Sequence, residues 1–88
     1  MKDRHKTMDR VAILAVMNSV LAKRGRAAIS DEAQTTRAAN FRSLDFSETA
    51  LRIEMQIDRE LAFDAASMRR IATVKDVIDF FETATRAP

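Results

Sequence analysis

Apolar positions recur along most of the chain at intervals of three and four residues, the spacing of one face of an α-helix. The clearest instance is Val74, Val77, Ile78 and Phe81, and the Thr73-Val74-Lys75-Asp76 stretch in front of it has the form of a capping box with Asp in place of Glu. Near the N-terminus the pattern predicts a helix from about Met8 to Lys23, capped by Thr7. Val11, Leu14, Ala15 and Leu21 give it one apolar face, which Ile13, Val16, Met17 and Val20 widen. Such a helix is buried between others, or packs on a partner as well as on its own core. Lys23 and Arg24 suit the negative end of its dipole, and Gly25 suits the left-handed position that ends it.

Periodicity then lapses over residues 26–42, where Ile29 is the one clear early anchor and Ser30-Asp31-Glu32-Ala33 could start a single turn. A connection of this length in a small domain is uncommon and often functional. A second long helix is expected from about Leu44 to Leu61, with Leu44, Leu51, Met55 and Asp58 near one line and Ala50, Ile53, Ile57 and Leu61 beside it. Phe63 is expected to enter the core after it. Asp64 can cap a short third helix, Ala65 to Arg70, with Met68 and Ile71 turned inward. The expected organisation is one domain over residues 7–83 between tails at 1–6 and 84–88. Its fold class is all-α, a small up-and-down four-helix bundle with a long first loop and a short third helix.

Composition supports that reading. Among 88 residues there is one Gly and one Pro, too few for the turns of a sandwich or barrel, while 47% apolar residues suffice for a single core. No Cys is present, which excludes disulfides and thiolate metal sites, so any thiol chemistry needs a thiol brought by a cofactor. The longest mainly apolar run, Val11 to Met17, is far too short to span a bilayer, and Met1 to Lys6 do not lead into a signal-peptide core. A cytoplasmic location is expected. His5 lies in the tail, and no metal-ligand spacing, phosphate-binding glycine loop or Ser-His-Asp set can be assembled.

Charge adds an asymmetry. The net charge is only +2, yet residues 23–42 carry five bases against two acids, and residues 43–61 carry five acids against two arginines. A basic loop thus leads into an acidic helix, either as two solvated faces or as a partner surface of mixed sign.

The stretch Ala39-Asn40-Phe41-Arg42-Ser43-Leu44, followed by Asp45 and Glu48 and later by Glu54, resembles the modification site of acyl carrier proteins, Leu-Gly-x-Asp-Ser-Leu with acidic residues after it. Downstream, Ile71-Ala72-Thr73-Val74-Lys75-Asp76-Val77 looks like that family's approach to its last helix. Each motif is weak alone; their order and separation, over roughly Met8 to Phe81, make the match specific. The resemblance implies a four-helix carrier domain that is not itself an enzyme. It implies 4′-phosphopantetheine, taken from coenzyme A and esterified to Ser43. Arg42, Leu44, Asp45, Glu48, Arg52 and Glu54 would form the surface read by partners. Those partners would be a phosphopantetheinyl transferase, an acyl- or aminoacyl-loading ligase and downstream transferases, meeting a monomer away from membranes. Two departures stand out: Asn40 at the usual glycine and Arg42 at the usual aspartate. With the basic balance, they point to a specialised carrier with dedicated partners.

Read without the resemblance, Ser43 is a helix N-cap, and Asp45-Phe46-Ser47-Glu48 offers a rival capping box. The competing function is a cofactor-free helical module that binds protein or nucleic acid. Met8, Met17, Met55 and Met68 read as core filler, or in a carrier as an adaptable lining for an acyl chain.

Overall fold

The computed structural model describes residues 8–86, so Thr7, proposed above as a cap, and the 1–6 tail lie outside the described residues. Four helices follow one another: α1 (Arg10–Lys23), α2 (Ser43–Ile57), α3 (Ala65–Arg69) and α4 (Val74–Arg86). The described residues form no strand, only an isolated antiparallel bridge between Thr35 and Thr73. None of the helices is long and apolar enough to cross a membrane.

Asp9 caps α1, its carboxylate accepting from Ala12 N at 2.8 Å. The other end closes as expected. Gly25 sits at φ 74°, and the N–H groups of Gly25 and Arg26 reach back to the carbonyls of Ala22 and Leu21. This is a Schellman closure, in which glycine meets no Cβ penalty. The inward face of α1 differs from the expected one. Ile13, Val16, Met17, Val20 and Leu21 are buried, whereas Val11 is 79% exposed and Ala15 is exposed. The helix is apolar around most of its circumference, so its own pattern left its rotation open; packing against α2 and α4 sets it.

The α2 helix stops four residues short of the expected Leu61. Asp58 takes the left-handed conformation, φ 59°, and the Glu54 carboxylate turns back to accept Leu61 N at 2.9 Å. Asp tolerates that conformation better than most residues, which lets a helix end without Gly or Pro. Ala50, Ile53 and Ile57 face the core, and Leu44, Leu51 and Met55 lie exposed. Asp64 caps α3, accepting from Ala66 N at 3.1 Å. No residue of α3 is buried: Met68 is 38% exposed and Ile71, just beyond, half-buried, so neither is fully inward.

The predicted box before α4 forms in both directions. Thr73 N donates to Asp76 at 3.0 Å and Asp76 N to Thr73 Oγ1 at 3.1 Å. The N–H groups of Ala72 and Thr73 hold the Asp76 carboxyl below its ordinary range. Val74, Val77, Ile78 and Phe81 are wholly buried. The helix does not fray at Thr83 but runs to Arg86, with Thr85 buried and its hydroxyl donating to Glu82 O.

Phe46 is the hub of the aromatic core. It stacks on Phe81 at 4.9 Å between centroids and meets Phe80 and Phe63 at 5.5 and 6.1 Å. Phe63 reaches this cluster from the edge and stays 41% exposed. The long first connection is tied down rather than loose. Ile29 and Phe41 are buried, Thr36 N donates to Ala72 O, and Val74 N and Lys75 N donate to Gln34 O and Glu32 O. Arg10 adds a side-chain tie, bonding Asp79, Glu32 and Glu82 and so joining α1, the loop and α4.

Candidate functional site

The approach to Ser43 is set by three residues. Asn40 is held at φ 60°, the left-handed region that favours glycine and admits asparagine. Phe41 then inserts into the core, 4% exposed. Arg42 follows in extended backbone, φ −104° and ψ 179°, as the N-cap of α2.

Ser43 is the first residue of α2, not its cap. Its side chain is exposed, and among the described residues no hydrogen bond engages its hydroxyl. Phe46 N donates to Arg42 O, so the N–H groups of Ser43, Leu44 and Asp45 are the unpaired donors of the first turn. The rival capping box does not form, because Asp45 and Glu48 both lie inside the helix.

Asp45 departs most from expectation. It is wholly buried, with Arg24 Nη1 on Oδ1 and Arg26 Nη1 on Oδ2, each at 2.6 Å, and Arg42 N on Oδ2 at 2.7 Å. The Arg26 guanidinium also donates to Asn40 O at 3.0 Å. Asp45 thus ties the end of α1, the left-handed turn and the cap of α2 into one frame around Ser43. It is not part of a partner-facing surface.

Glu48 is likewise engaged. It bonds Arg24 at 2.7 Å, Arg52 at 2.8 Å and Lys23 at 3.2 Å. Lys23 above all, then Arg52 and Arg24, draw its carboxyl down from an ordinary 4.5 to about 2. Arg52 also donates to Ser19 on α1 at 2.8 Å, and Glu54 closes the end of α2. Of the six residues expected to face partners, Arg42 and Leu44 are exposed; Asp45, Glu48, Arg52 and Glu54 are occupied within the fold. The charge asymmetry of the sequence is in large part an internal clamp between the end of α1 and the start of α2.

An open cleft of about 240 Å³ lies beside Ser43 between α2 and α3. Phe41, Phe46, Ile71, Val77 and Met68 give it an apolar wall, and Ser43, Ser47 and Thr36 lie at its polar edge. Of the four methionines read as core filler or lining, Met68 lines this cleft, Met8 and Met17 are buried, and Met55 is exposed. Sequence reasoning missed Arg24 and Arg26 as parts of the site. The signal was present in the opposite charges of the two segments, but which bases meet which acids depends on how α1 lies on α2. His5 is outside the described residues, and no cluster of His, Cys, Asp or Glu suited to a metal occurs among the described ones.

Comparison of the chain with family models, with curated proteins and with solved structures returns no match.

Proposed function

We propose that this chain is a carrier protein that bears 4′-phosphopantetheine on Ser43 and presents a thioester-bound acyl or aminoacyl group to partner enzymes. The observation that carries the reading is the setting of one hydroxyl. Ser43 Oγ is exposed, engaged by no hydrogen bond among the described residues, and placed on a braced frame at the mouth of an apolar cleft. A group can be esterified there without displacing a core side chain.

The surroundings suit a phosphodiester in particular. The free N–H groups of Ser43, Leu44 and Asp45 stand at the positive end of α2, and anions are stabilised there. Arg42 adds an exposed cation, bonded through its Nε to Asn40 Oδ1 at 3.2 Å. When bound, the group supplies the thiol that a chain without cysteine lacks. The chain's own part is to hold the attachment point, shelter apolar cargo and meet partners. Cleft volume limits the sheltered part, because drug-sized sites hold about 300–1,000 Å³. The cleft suits a short acyl segment or an amino-acid side chain.

The test is incubation of the full chain with coenzyme A and a permissive phosphopantetheinyl transferase, read by intact mass. One added phosphopantetheine is expected in the wild type and none in Ser43→Ala. An unmodified wild type with every transferase tried would contradict the reading. The competing interaction-module function rests on exposed Leu44, Leu51 and Met55 along α2; it gains if Ser43 stays unmodified and the chain still captures a partner through that stripe.

A further inference from the structure

The face around Ser43 carries an unusual charge. Three acids of α2 that could have faced outward there are withdrawn, Asp45 and Glu48 by Arg24, Arg26, Lys23 and Arg52, and Glu54 by the backbone at Leu61. What remains is basic. Arg42 is the one charged residue in the wall of the cleft, and Arg37 and Arg69 follow directly on Thr36 and Met68, two other residues of that wall. All three arginines are exposed, and among the described residues none takes part in an ion pair. Both lysines within residues 8–86, Lys23 and Lys75, are already paired to Glu48 and Asp79. Apolar side chains stand beside these arginines: Leu44 is 73% exposed and Met68 38%. At the other end of α2, about 22 Å away at 1.5 Å per residue, the exposed charges of Asp58 and Glu60 are acidic.

On the carrier reading of Ser43, we propose that this face docks a partner enzyme whose own contact surface is acidic around an apolar centre. Complementarity is the argument. One arginine in the wall of an apolar cleft and two next to its lining residues in the chain, none of them in an ion pair among the described residues, attract carboxylates, speed encounter and fix orientation, while exposed Leu44 and Met68 supply apolar contact. Arginine, with its planar fork, suits bidentate pairing with carboxylates better than lysine does. A partner that carries basic residues for an acidic helix meets like charge here and is turned away. A nucleic-acid partner is less well served. The two rings lining the cleft, Phe41 and Phe46, are buried, so the cleft itself offers a base no stacking face.

The experiment uses the full chain labelled with ¹⁵N and three probes at near-physiological salt. They are an amphipathic peptide with leucines ringed by glutamates, the same peptide with lysines for the glutamates, and a short single-stranded DNA. The expected result is saturable shifts at Arg37, Arg42, Leu44, Met68 and Arg69 with the glutamate peptide alone. Arg42→Glu combined with Arg69→Glu weakens that binding at least tenfold while leaving the circular dichroism spectrum unchanged. Equal binding of both peptides, shifts centred elsewhere, or tighter binding of the DNA would overturn the proposal. Loading of Ser43, followed by mass in the same samples, is read separately. Loading without peptide binding sinks the acidic-partner inference and leaves the carrier reading standing; peptide binding without loading does the reverse.

Discussion

Replacing Asp45 by asparagine keeps the side chain's shape and removes its charge. The carboxylate is wholly buried and receives two guanidinium bonds at 2.6 Å and one backbone N–H at 2.7 Å. An amide offers one oxygen for these donors and turns an NH₂ group toward at least one of them. Breaking a buried ion pair by removing one partner costs about 3–5 kcal/mol. Arg24 and Arg26 keep 29% and 25% of their side-chain exposure, so water recovers part of the loss, and the lower end, about 3 kcal/mol, is expected. A domain of 88 residues has roughly 4–13 kcal/mol in all, so Asp45→Asn removes a large share. Urea unfolding followed by far-ultraviolet circular dichroism should show a lower midpoint at unchanged slope. Tm should fall by roughly 12–24 °C, at about 4–8 °C per kcal/mol. Arg37→Gln, at an exposed arginine outside any ion pair, serves as the control and should stay within about 0.5 kcal/mol. A loss under about 1 kcal/mol for Asp45→Asn, the scale of an exposed pair, would refute the clamp.

Phe81 is wholly buried and stacked on Phe46, so Phe81→Ala should cost about 3–5 kcal/mol in the same assay; a change within about 0.5 kcal/mol would mean that α4 faces the other way. Glu48, drawn down from 4.5 to about 2, gives stability that is complete above pH 4.5 and is lost as pH falls through about 2. The gap in urea midpoint between wild type and Glu48→Gln should therefore close across that window, and a constant gap would show that the carboxylate is not held by its three cations. Arg42→Asp should raise kcat/KM for a generic phosphopantetheinyl transferase roughly three- to tenfold at fixed ionic strength, a barrier change of about 1 kcal/mol; an unchanged value would make Arg42 a bystander to partner choice.

What the sequence showed plainly was local. Gly25, Asp64 and the Thr73–Asp76 box act within a few residues of themselves, so their identities suffice to place the helix ends they make. The α4 face was legible because its apolar stripe is narrow. The α1 face was not, since apolar residues surround that helix and only its neighbours decide which ones turn inward. Asp58 ended α2 early because a left-handed aspartate leaves no mark in a search for Gly or Pro. At the candidate site, Ser43, Arg42 and Leu44 are exposed. Asp45, Glu48, Arg52 and Glu54 turned into the fold because their partners are Arg24, Arg26, Ser19 and the backbone at Leu61, and those meetings are tertiary. Asn40, which stands where the resemblance expects glycine, takes a left-handed backbone, and nothing in its immediate neighbours announced that.

Because the chain contains no cysteine, a thiol count tests the central claim with no background. Purified protein, freed of small molecules after incubation with coenzyme A and a permissive transferase, is titrated with a thiol reagent under denaturing conditions. Ser47, exposed one turn further along α2 in the wall of the same cleft, is the closest rival attachment point. The carrier account predicts about one thiol per chain for wild type and for Ser47→Ala, and none for Ser43→Ala. A thiol that persists in Ser43→Ala, or none in a wild type offered several transferases, would contradict it.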